Sequence, residues 1–273
     1  MRKLLRADLC RMCKSRVLML CMLSAFAVSL IFTLRFAMDT GTVKLVSWGS
    51  VMQTFPFMPI LYAVFIGLFI GVEYQDRTLR NKLICGHSRL VVYFSLLVTV
   101  TLGCFAVIAS WALGAAAGMI YNTEFIELPE ALPLYIAAAL LLTAAVAAVL
   151  TAAAMLIPNR AFSAVTAVLL AFGLIILGGA IYSALCEPET VSQAIINADG
   201  GFGVGEPQPN PRYVSGTLRE VYGYLMDVLP SGQALLLAGS ALVHPALSLI
   251  SSAAIPILVS AFGAAVFRRK DLK

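Results

Sequence analysis

The sequence predicts an all-α polytopic membrane protein with six transmembrane helices, and two observations lead to this class. The chain of 273 residues is 60% hydrophobic and only 12% charged, whereas soluble domains carry about 25% charged residues. Its apolar residues also form runs of about 20 residues or more, the length that an α-helix needs to cross a bilayer. We predict a single transmembrane domain over residues 1–273, with spans over 17–38, 51–72, 90–120, 133–157, 161–186 and 246–267.

An amphipathic helix is predicted over residues 1–16, before the first span. One of its sides is apolar, and most of its basic residues face away from that side (Leu5, Leu9, Met12 and Cys13 against Lys3, Arg6, Arg11 and Lys14). A basic amphipathic helix of this kind lies in the headgroup plane of a membrane. Three roles fit the pattern: a signal that only orients the chain, an anchor, or a mechanical lever that leads into the first span.

A charged segment over residues 73–89 separates spans 2 and 3. It contains six charged residues, Glu73, Asp76, Arg77, Arg80, Lys82 and Arg89, so it lies outside the lipid. Its apolar residues Leu79, Leu83 and Ile84 share one side of a short helix, which we expect to end at Gly86. The pattern indicates a helix that lies across the inner face of the membrane and binds a soluble partner.

The distribution of basic residues predicts the orientation of the chain. With six spans, the basic residues of four segments fall on one side of the membrane: 2–16, 77–89, 160 and 268–273. Only Lys44, Arg212 and Arg219 fall on the other side. Because basic loops remain in the cytoplasm, we predict that both termini and residues 73–89 are cytoplasmic and that residues 187–245 are outside. The net charge of +5 reflects this bias and does not indicate a nucleic-acid partner.

Small residues suggest close helix packing, and the outer loop carries its own helices. A G-x-x-x-G pattern occurs in span 2 at Gly67 and Gly71, and again in span 3 at Gly114 and Gly118. Such glycines let helix backbones approach, either within the chain or at a dimer face. In the outer loop, we predict a short helix over 218–227 and an apolar segment over 234–243, which is too short to cross the membrane and is expected to be re-entrant.

Several kinds of chemistry are excluded by missing motifs. The sequence has no G-x-x-x-x-G-K-[ST] phosphate-binding loop and no H-E-x-x-H or G-x-S-x-G motif. We therefore predict no catalytic, cofactor-binding or metal-binding residues in this chain, which is not expected to be an enzyme. The predicted spans contain one ionisable residue, Arg35, near an outer end. Proton- and ion-coupled carriers usually have such groups at mid-membrane. If this chain is a transporter, we therefore expect it to take its energy from another protein.

Four segments of the chain resemble one known family. They are the basic helix before span 1; Glu73-Tyr74 leading into Thr78-Leu79-Arg80-Asn81-Lys82 and then Gly86-x-Ser88-Arg89, with Tyr93 and Ser95; Leu229-Pro230-x-Gly232-Gln233; and the ending Phe267-Arg268-Arg269-Lys270-Asp271-Leu272-Lys273. The chain thereby resembles the membrane subunits of bacterial type-2 ABC exporters, six-span permeases related to antibiotic-, bacteriocin- and lantibiotic-resistance transporters. It departs from the family at Arg77, where a glycine commonly precedes the threonine.

The resemblance implies a function and a set of partners. Residues 73–89 would form the coupling helix, which sits in a groove of a separate ATP-binding subunit. Two copies of that cytosolic subunit, which bind ATP and Mg, would work with two permease chains as a homodimer or heterodimer in the bacterial cytoplasmic membrane. Leu79, Leu83 and Ile84 would pack into the groove. The full set of partner-binding residues is expected to be Thr78, Leu79, Arg80, Lys82, Leu83, Ile84 and Arg89.

Glu73 is expected to form a structural ion pair with a basic residue of the N-terminal helix. The chain would form the path for an amphipathic or hydrophobic substrate. Two other functions remain open: a non-transporting membrane protein, such as a sensor or immunity subunit, and a secondary carrier.

Overall fold

The chain folds into eleven α-helices and six short strands within the residues that the computed structural model describes, which are 2–38, 45–122, 125–127, 131–192, 194–196, 202–204, 206–239 and 244–270. The helices are α1 (Arg2–Cys13), α2 (Arg16–Met38), α3 (Trp48–Met52), α4 (Met58–Gln75), α5 (Thr78–Ile84), α6 (Arg89–Asn122), α7 (Leu132–Met155), α8 (Arg160–Cys186), α9 (Thr217–Val228), α10 (Pro230–Ala238) and α11 (Pro245–Arg269). Six of them, α2, α4, α6, α7, α8 and α11, are long and apolar enough to cross a membrane. The predicted class, an all-α polytopic membrane protein, is confirmed.

The second span differs from its predicted extent. The sequence predicted a span over 51–72 with breaks or kinks at Pro56 and Pro59, and the structure has the short helix α3, a 3₁₀ turn over Phe55–Phe57 and then α4 from Met58. Two prolines explain the interruption, because Pro56 and Pro59 lack the N–H groups that a continuous helix would need there. Each proline instead occupies the first turn of a new helical segment.

Three spans form the centre of the bundle and three lie around them. Helix α4 packs against α7 and α8, α6 packs against α2 and α7, and α7 also packs against α11. The residues of α4, α6 and α7 are mostly buried, while α2, α8 and α11 each bury less than a third of their most apolar stretch. The outer helices therefore expose large apolar side chains, such as Leu23, Leu169 and Leu258, as expected for surfaces that face lipid or another apolar chain.

Both G-x-x-x-G patterns lie at close contacts within the chain. A Cβ atom on Gly67 would come within 2.7 Å of the Cα atom of Ala164, so α4 and α8 touch at their backbones. A Cβ atom on Gly114 would lie 2.4 Å from the carbonyl oxygen of Phe26, which brings α6 against α2. The sequence left open whether these glycines pack within the chain or form a dimer face. These contacts show packing within the chain.

The structure leads to a prediction for these glycines. We expect Gly114→Ala to lower the thermal unfolding midpoint of the purified chain in detergent, because its new methyl group meets backbone rather than a movable side chain. The cost should be about 1–3 kcal/mol. Gly173→Ala is the matched control, since nothing lies within 4 Å of a Cβ atom there; it should leave the midpoint unchanged or raise it. Equal midpoints for the two variants would show that α2 and α6 are not in such close contact.

The strands and the remaining helices lie at the two ends of the bundle. Strand β1 (Leu45–Ser47) pairs in parallel with β2 (Phe125–Glu127), and the antiparallel pairs are β3 (Thr190–Val191) with β6 (Gln208–Pro209) and β4 (Ala194–Ile196) with β5 (Phe202–Val204). They share one end with α3, α9 and α10, which we call the α9 end. Helices α1 and α5 lie at the opposite end, the α5 end. Residues 240–243 of the predicted re-entrant segment and residues 271–273 of the predicted basic ending lie outside the described residues.

Candidate functional site

Helix α5 is a two-turn helix whose ends are set by two residues with positive φ. Arg77 has a φ of 55° and precedes the helix, while Gly86 has a φ of 87° and follows it. The N–H of Gly86 donates to the carbonyl of Leu83 at 3.0 Å, and the N–H of His87 donates to that of Lys82 at 3.2 Å. These two bonds form a Schellman motif at the glycine where the sequence predicted the end. Arg77 adopts a left-handed conformation that glycine would adopt with less strain.

Two carboxylates are buried beside α5. Glu73, at the end of α4, has a side chain that is 1% exposed, and Asp8, in the middle of α1, has one that is 4% exposed. Asp8 lies between Leu4 and Met12 on the buried side of α1. Its side chain is therefore buried together with these apolar residues. Ser95 of α6 donates a hydrogen bond to Asp8 Oδ2 at 2.8 Å, and Thr78 of α5 donates one to Glu73.

Two cations neutralise these carboxylates. Lys82 Nζ lies 2.7 Å from Asp8 Oδ1 and 2.8 Å from Glu73 Oε1, so a single ammonium joins α5 to both α1 and α4. Arg11 of α1 forms a salt bridge with Glu73, and its guanidinium lies 4.1 Å from the centre of the Phe69 ring. We call Asp8, Arg11, Glu73 and Lys82 the charge cluster. Sequence reasoning expected Glu73 to pair with a basic residue of the N-terminal helix, and Arg11 is that residue in the structure.

The charge cluster holds α5 in place more firmly than surface ion pairs would. Surface pairs contribute roughly 0–1 kcal/mol, but removing one partner of a buried pair costs about 3–5 kcal/mol because a charge is left without compensation. Lys82 serves two buried carboxylates, so its loss leaves both with less positive charge nearby. The cluster has two positive and two negative members and is balanced when complete.

Lys82→Met therefore gives a sharp test of the charge cluster. We expect it to destabilise the purified chain in detergent by about 3–5 kcal/mol, measured from its thermal unfolding midpoint. Arg80→Met is the matched control, since it removes the same charge from the same helix at an exposed position and should change stability by less than about 0.5 kcal/mol. Adding Asp8→Asn to Lys82→Met should recover part of the loss. Equal effects of the Lys82 and Arg80 variants would contradict a buried cluster.

The structure shows what the predicted docking residues of α5 contact within the chain. Leu79 is only 2% exposed, and Leu83 packs against the same core of buried apolar side chains. The apolar side of the helix thus faces the chain's own α4 and α6, with which α5 is in contact. Lys82, another of the expected partner-binding residues, is bound within the charge cluster. The side chains that remain outward are those of Arg80, Asn81 and Ile84, and Ile84 is 73% exposed.

Arg89 also has partners within the chain. Its Nη1 donates to the carbonyl of Arg268 at 3.2 Å and to the carbonyl of Lys270, which fastens the end of α11 to the start of α6. The Lys270 ammonium in turn donates to Tyr74 Oη at 3.2 Å and to the carbonyl of Met155 at 3.1 Å. Burial lowers the pKa of Lys270. Within the chain, Arg89 thus helps to close the α5 end; its predicted contact with a partner stays a prediction.

A second buried polar group lies at the α9 end. Asp227 of α9 accepts a hydrogen bond from Ser248 at 3.0 Å, and its other oxygen lies 2.8 Å from His244 Nδ1. Gln233 of α10 donates to the carbonyl of Asp227 at 2.6 Å and to Ser251 Oγ at 2.7 Å. Asp227 and Gln233 are both buried. These contacts join α9, α10 and α11, and they account for Gln233 in the Leu229-Pro230-x-Gly232-Gln233 segment.

Sequence reasoning missed Asp8, Asp227 and the serines of α11. Each left a signal. Asp8 is the only acidic residue in a basic helix and shares the side of Leu4 and Met12. Ser248, Ser251 and Ser252 recur at the spacing of one helix side. Burial of these residues depends on neighbours that are far away in the chain, so the signals identify candidates without pairing them.

Among the described residues, no group of three or more His, Cys, Asp and Glu side chains is arranged to hold a metal ion. The charge cluster contains no exposed nucleophile, and its charged groups are directed at one another. Its geometry suits a mechanical connection between helices.

A comparison with protein-family models gave no match, and a comparison with curated proteins gave none either.

Proposed function

We propose that the chain is the permease subunit of an ATP-driven exporter of the ABC class and that α5 is its coupling helix. The observation that carries this proposal is the placement of α5. It is a short helix between two long apolar helices, it exposes Arg80, Asn81 and Ile84, and it is joined by one ammonium to two other helices.

The charge cluster supports a path for mechanical coupling. A partner that displaces α5 moves Lys82, and if Lys82 leaves the cluster, the buried Asp8 loses its cation and Glu73 retains only Arg11. Helix α1 and the end of α4 would therefore move with α5. Helix α1 leads directly into the span α2, and α4 is itself a span. Motion at α5 would therefore reach the membrane-spanning part of the chain.

Energy would come from a separate chain. The sequence has no phosphate-binding loop, so two copies of a cytosolic ABC ATPase would hold ATP and Mg. A second permease chain, identical or related, would complete the path for an amphipathic or hydrophobic substrate. Its contact surface would come from the apolar faces that α2, α8 and α11 expose. The complex would reside in the bacterial cytoplasmic membrane with both termini and α5 on the cytoplasmic side.

Ile84→Asp tests the docking face of α5. We expect wild-type protein purified from its native membranes to carry ATP hydrolysis, and the variant to lose it by about tenfold or more, because an apolar anchor at an interface contributes about 2 kcal/mol or more. Ile84 makes few contacts within its own chain, so the variant should fold and insert normally.

Leu218→Asp is the control for that measurement. Leu218 is also exposed, at 52%, and lies outside the spans on α9 at the opposite end. The control variant should retain the ATP hydrolysis of the wild type. Full ATP hydrolysis with a well-folded Ile84→Asp variant would contradict the docking face proposed here.

Native cysteines test the proposed orientation. Cys85 follows α5, Cys186 ends α8 at the α9 end, and both are exposed, whereas Cys104 is buried. In single-cysteine variants, a membrane-impermeant maleimide should label Cys186 in intact cells and reach Cys85 only after permeabilisation. Cys104 should stay unlabelled in both cases. Labelling of Cys85 from outside would overturn the orientation, whatever the energy source.

A secondary carrier is the second candidate, and one observation favours it. Asp227 is a buried carboxylate paired with His244, and because both lie outside the spans at the α9 end, they would exchange protons there and not at mid-membrane. Purified chain in liposomes without any ATPase would then transport in response to a pH gradient. A sensor or immunity subunit would show neither this transport nor associated ATP hydrolysis.

A further inference from the structure

Helix α1 has one side buried in the protein and one side that is exposed and basic. Leu4, Asp8 and Met12 lie on the buried side. The exposed cations of the opposite side, which we call the α1 basic face, are Arg2, Lys3, Arg6 and Lys14. No ion pair joins any of them to an acidic side chain among the residues that the structure describes. Asp8, the only acidic residue of α1, is bound by Lys82 instead, so the α1 basic face keeps its full positive charge.

Helix α1 lies beside a membrane-spanning helix and not beyond its end. Ser95 donates its hydrogen bond to Asp8 at 2.8 Å, and a Cβ atom on Gly103 would lie 3.2 Å from Met12 Sδ. Ser95 and Gly103 both belong to the span in α6. The large apolar side chains that α6 exposes over the same stretch are those of Leu90, Phe94, Val98 and Leu102. The α1 basic face is therefore placed next to surface that suits hydrocarbon, as in a helix at the border between lipid headgroups and acyl chains.

Arg2 and Arg6 form the part of this face that best fits a phospholipid. They are four residues apart and so lie one turn apart on the same side of the helix. Leu5 and Leu9, next to them around the helix, are partly exposed. The two guanidinium groups offer paired N–H donors, which phosphate oxygens accept, and the leucines offer apolar contact to an acyl chain.

We propose that Arg2 and Arg6 bind the phosphate of an anionic membrane phospholipid whose acyl chain lies against Leu5 and Leu9. The phosphate of phosphatidylcholine carries the same charge, but the choline of its own headgroup offsets it. Phosphatidylglycerol has no such cation, so its phosphate gains more from the α1 basic face. An acidic soluble protein is a poorer match, because it would leave the apolar side chains beside the two arginines without hydrocarbon contact. The site is assigned by α1 and the spans alone, so it depends neither on the orientation of the chain nor on the proposed transport.

A fluorophore on Cys10 provides a local measurement, because Cys10 is exposed and lies one turn after Arg6. A single-cysteine variant of the full-length chain is labelled there and reconstituted into phosphatidylcholine vesicles. Phosphatidylglycerol or phosphatidylcholine with a nitroxide near the top of one acyl chain is then added as the quencher. We expect phosphatidylglycerol to reach half-maximal quenching at an about fivefold lower mole fraction, as one cation near an anionic lipid predicts. The same fluorophore on Cys186, exposed at the α9 end, should show no preference.

Variants separate the two arginines from the general charge of the α5 end. Replacing both Arg2 and Arg6 by Gln should lower the preference for phosphatidylglycerol at Cys10 to less than about twofold. Replacing both Arg77 and Arg80 by Gln is the matched control, since it removes the same charge from exposed positions at the same end but outside α1, and it should keep the preference. Arg6→Lys retains the charge and should keep most of it. Added salt should reduce the preference, because mobile ions screen exposed charges.

Two outcomes would overturn the proposal. The first is equal quenching of the Cys10 fluorophore by the two lipids when all arginines are present, which would show that α1 does not select anionic lipid. The second is an equal loss of preference in the two double variants, which would assign the preference to the summed charge of the α5 end. The first comparison needs no arginine substitution, so it stands even where a double variant folds poorly.

Discussion

Two buried carboxylates at the α5 end require positive charge, and the position of α5 follows from that requirement. Asp8 and Glu73 come from helices that are far apart in the chain, and both side chains are almost fully buried. Lys82 satisfies both, and it does so only where α5 lies across α1 and the end of α4. Burying such charges gains little stability compared with an apolar core. The arrangement instead specifies one position for a short helix that could not hold itself in place alone.

The spans could be predicted from the sequence because lipid imposes one strong rule. Backbone groups inside a bilayer must be satisfied within the helix, so runs of about 20 apolar residues leave few alternatives. The second span shows the limit of that rule, since Pro56 and Pro59 interrupt a run that hydropathy alone treats as continuous. The G-x-x-x-G patterns indicated close packing, but the identity of their neighbours, α8 and α2, depends on the tertiary fold.

The site was less predictable, because its chemistry depends on which side of α5 faces the protein. Periodicity placed Leu79, Leu83 and Ile84 together, but the structure buries Leu79, partly buries Leu83 and leaves Ile84 73% exposed. Periodicity could not distinguish burial in a partner from burial in the same chain, since both require the same apolar residues. The structure assigns Leu79 and Leu83 to the chain's own core. The burial of Asp8 could not be predicted for a similar reason. A single acidic residue among basic residues suggests a solvated surface, and only the fold shows which helix faces it.

The way in which α5 is held determines what a partner could do to it. Its seven residues form two turns that cannot bend far, and its two ends are set by local backbone geometry at Arg77 and Gly86. Its inner side is fixed by Leu79 and by the ammonium of Lys82, so a force on the outer side cannot be absorbed within the helix. That force must either break the charge cluster or move α1 and α4 together with α5. Because loss of Lys82 would leave Asp8 without a cation and Glu73 with Arg11 alone, concerted motion is the less costly response, and under the proposed function the fixed position of α5 would transmit the force.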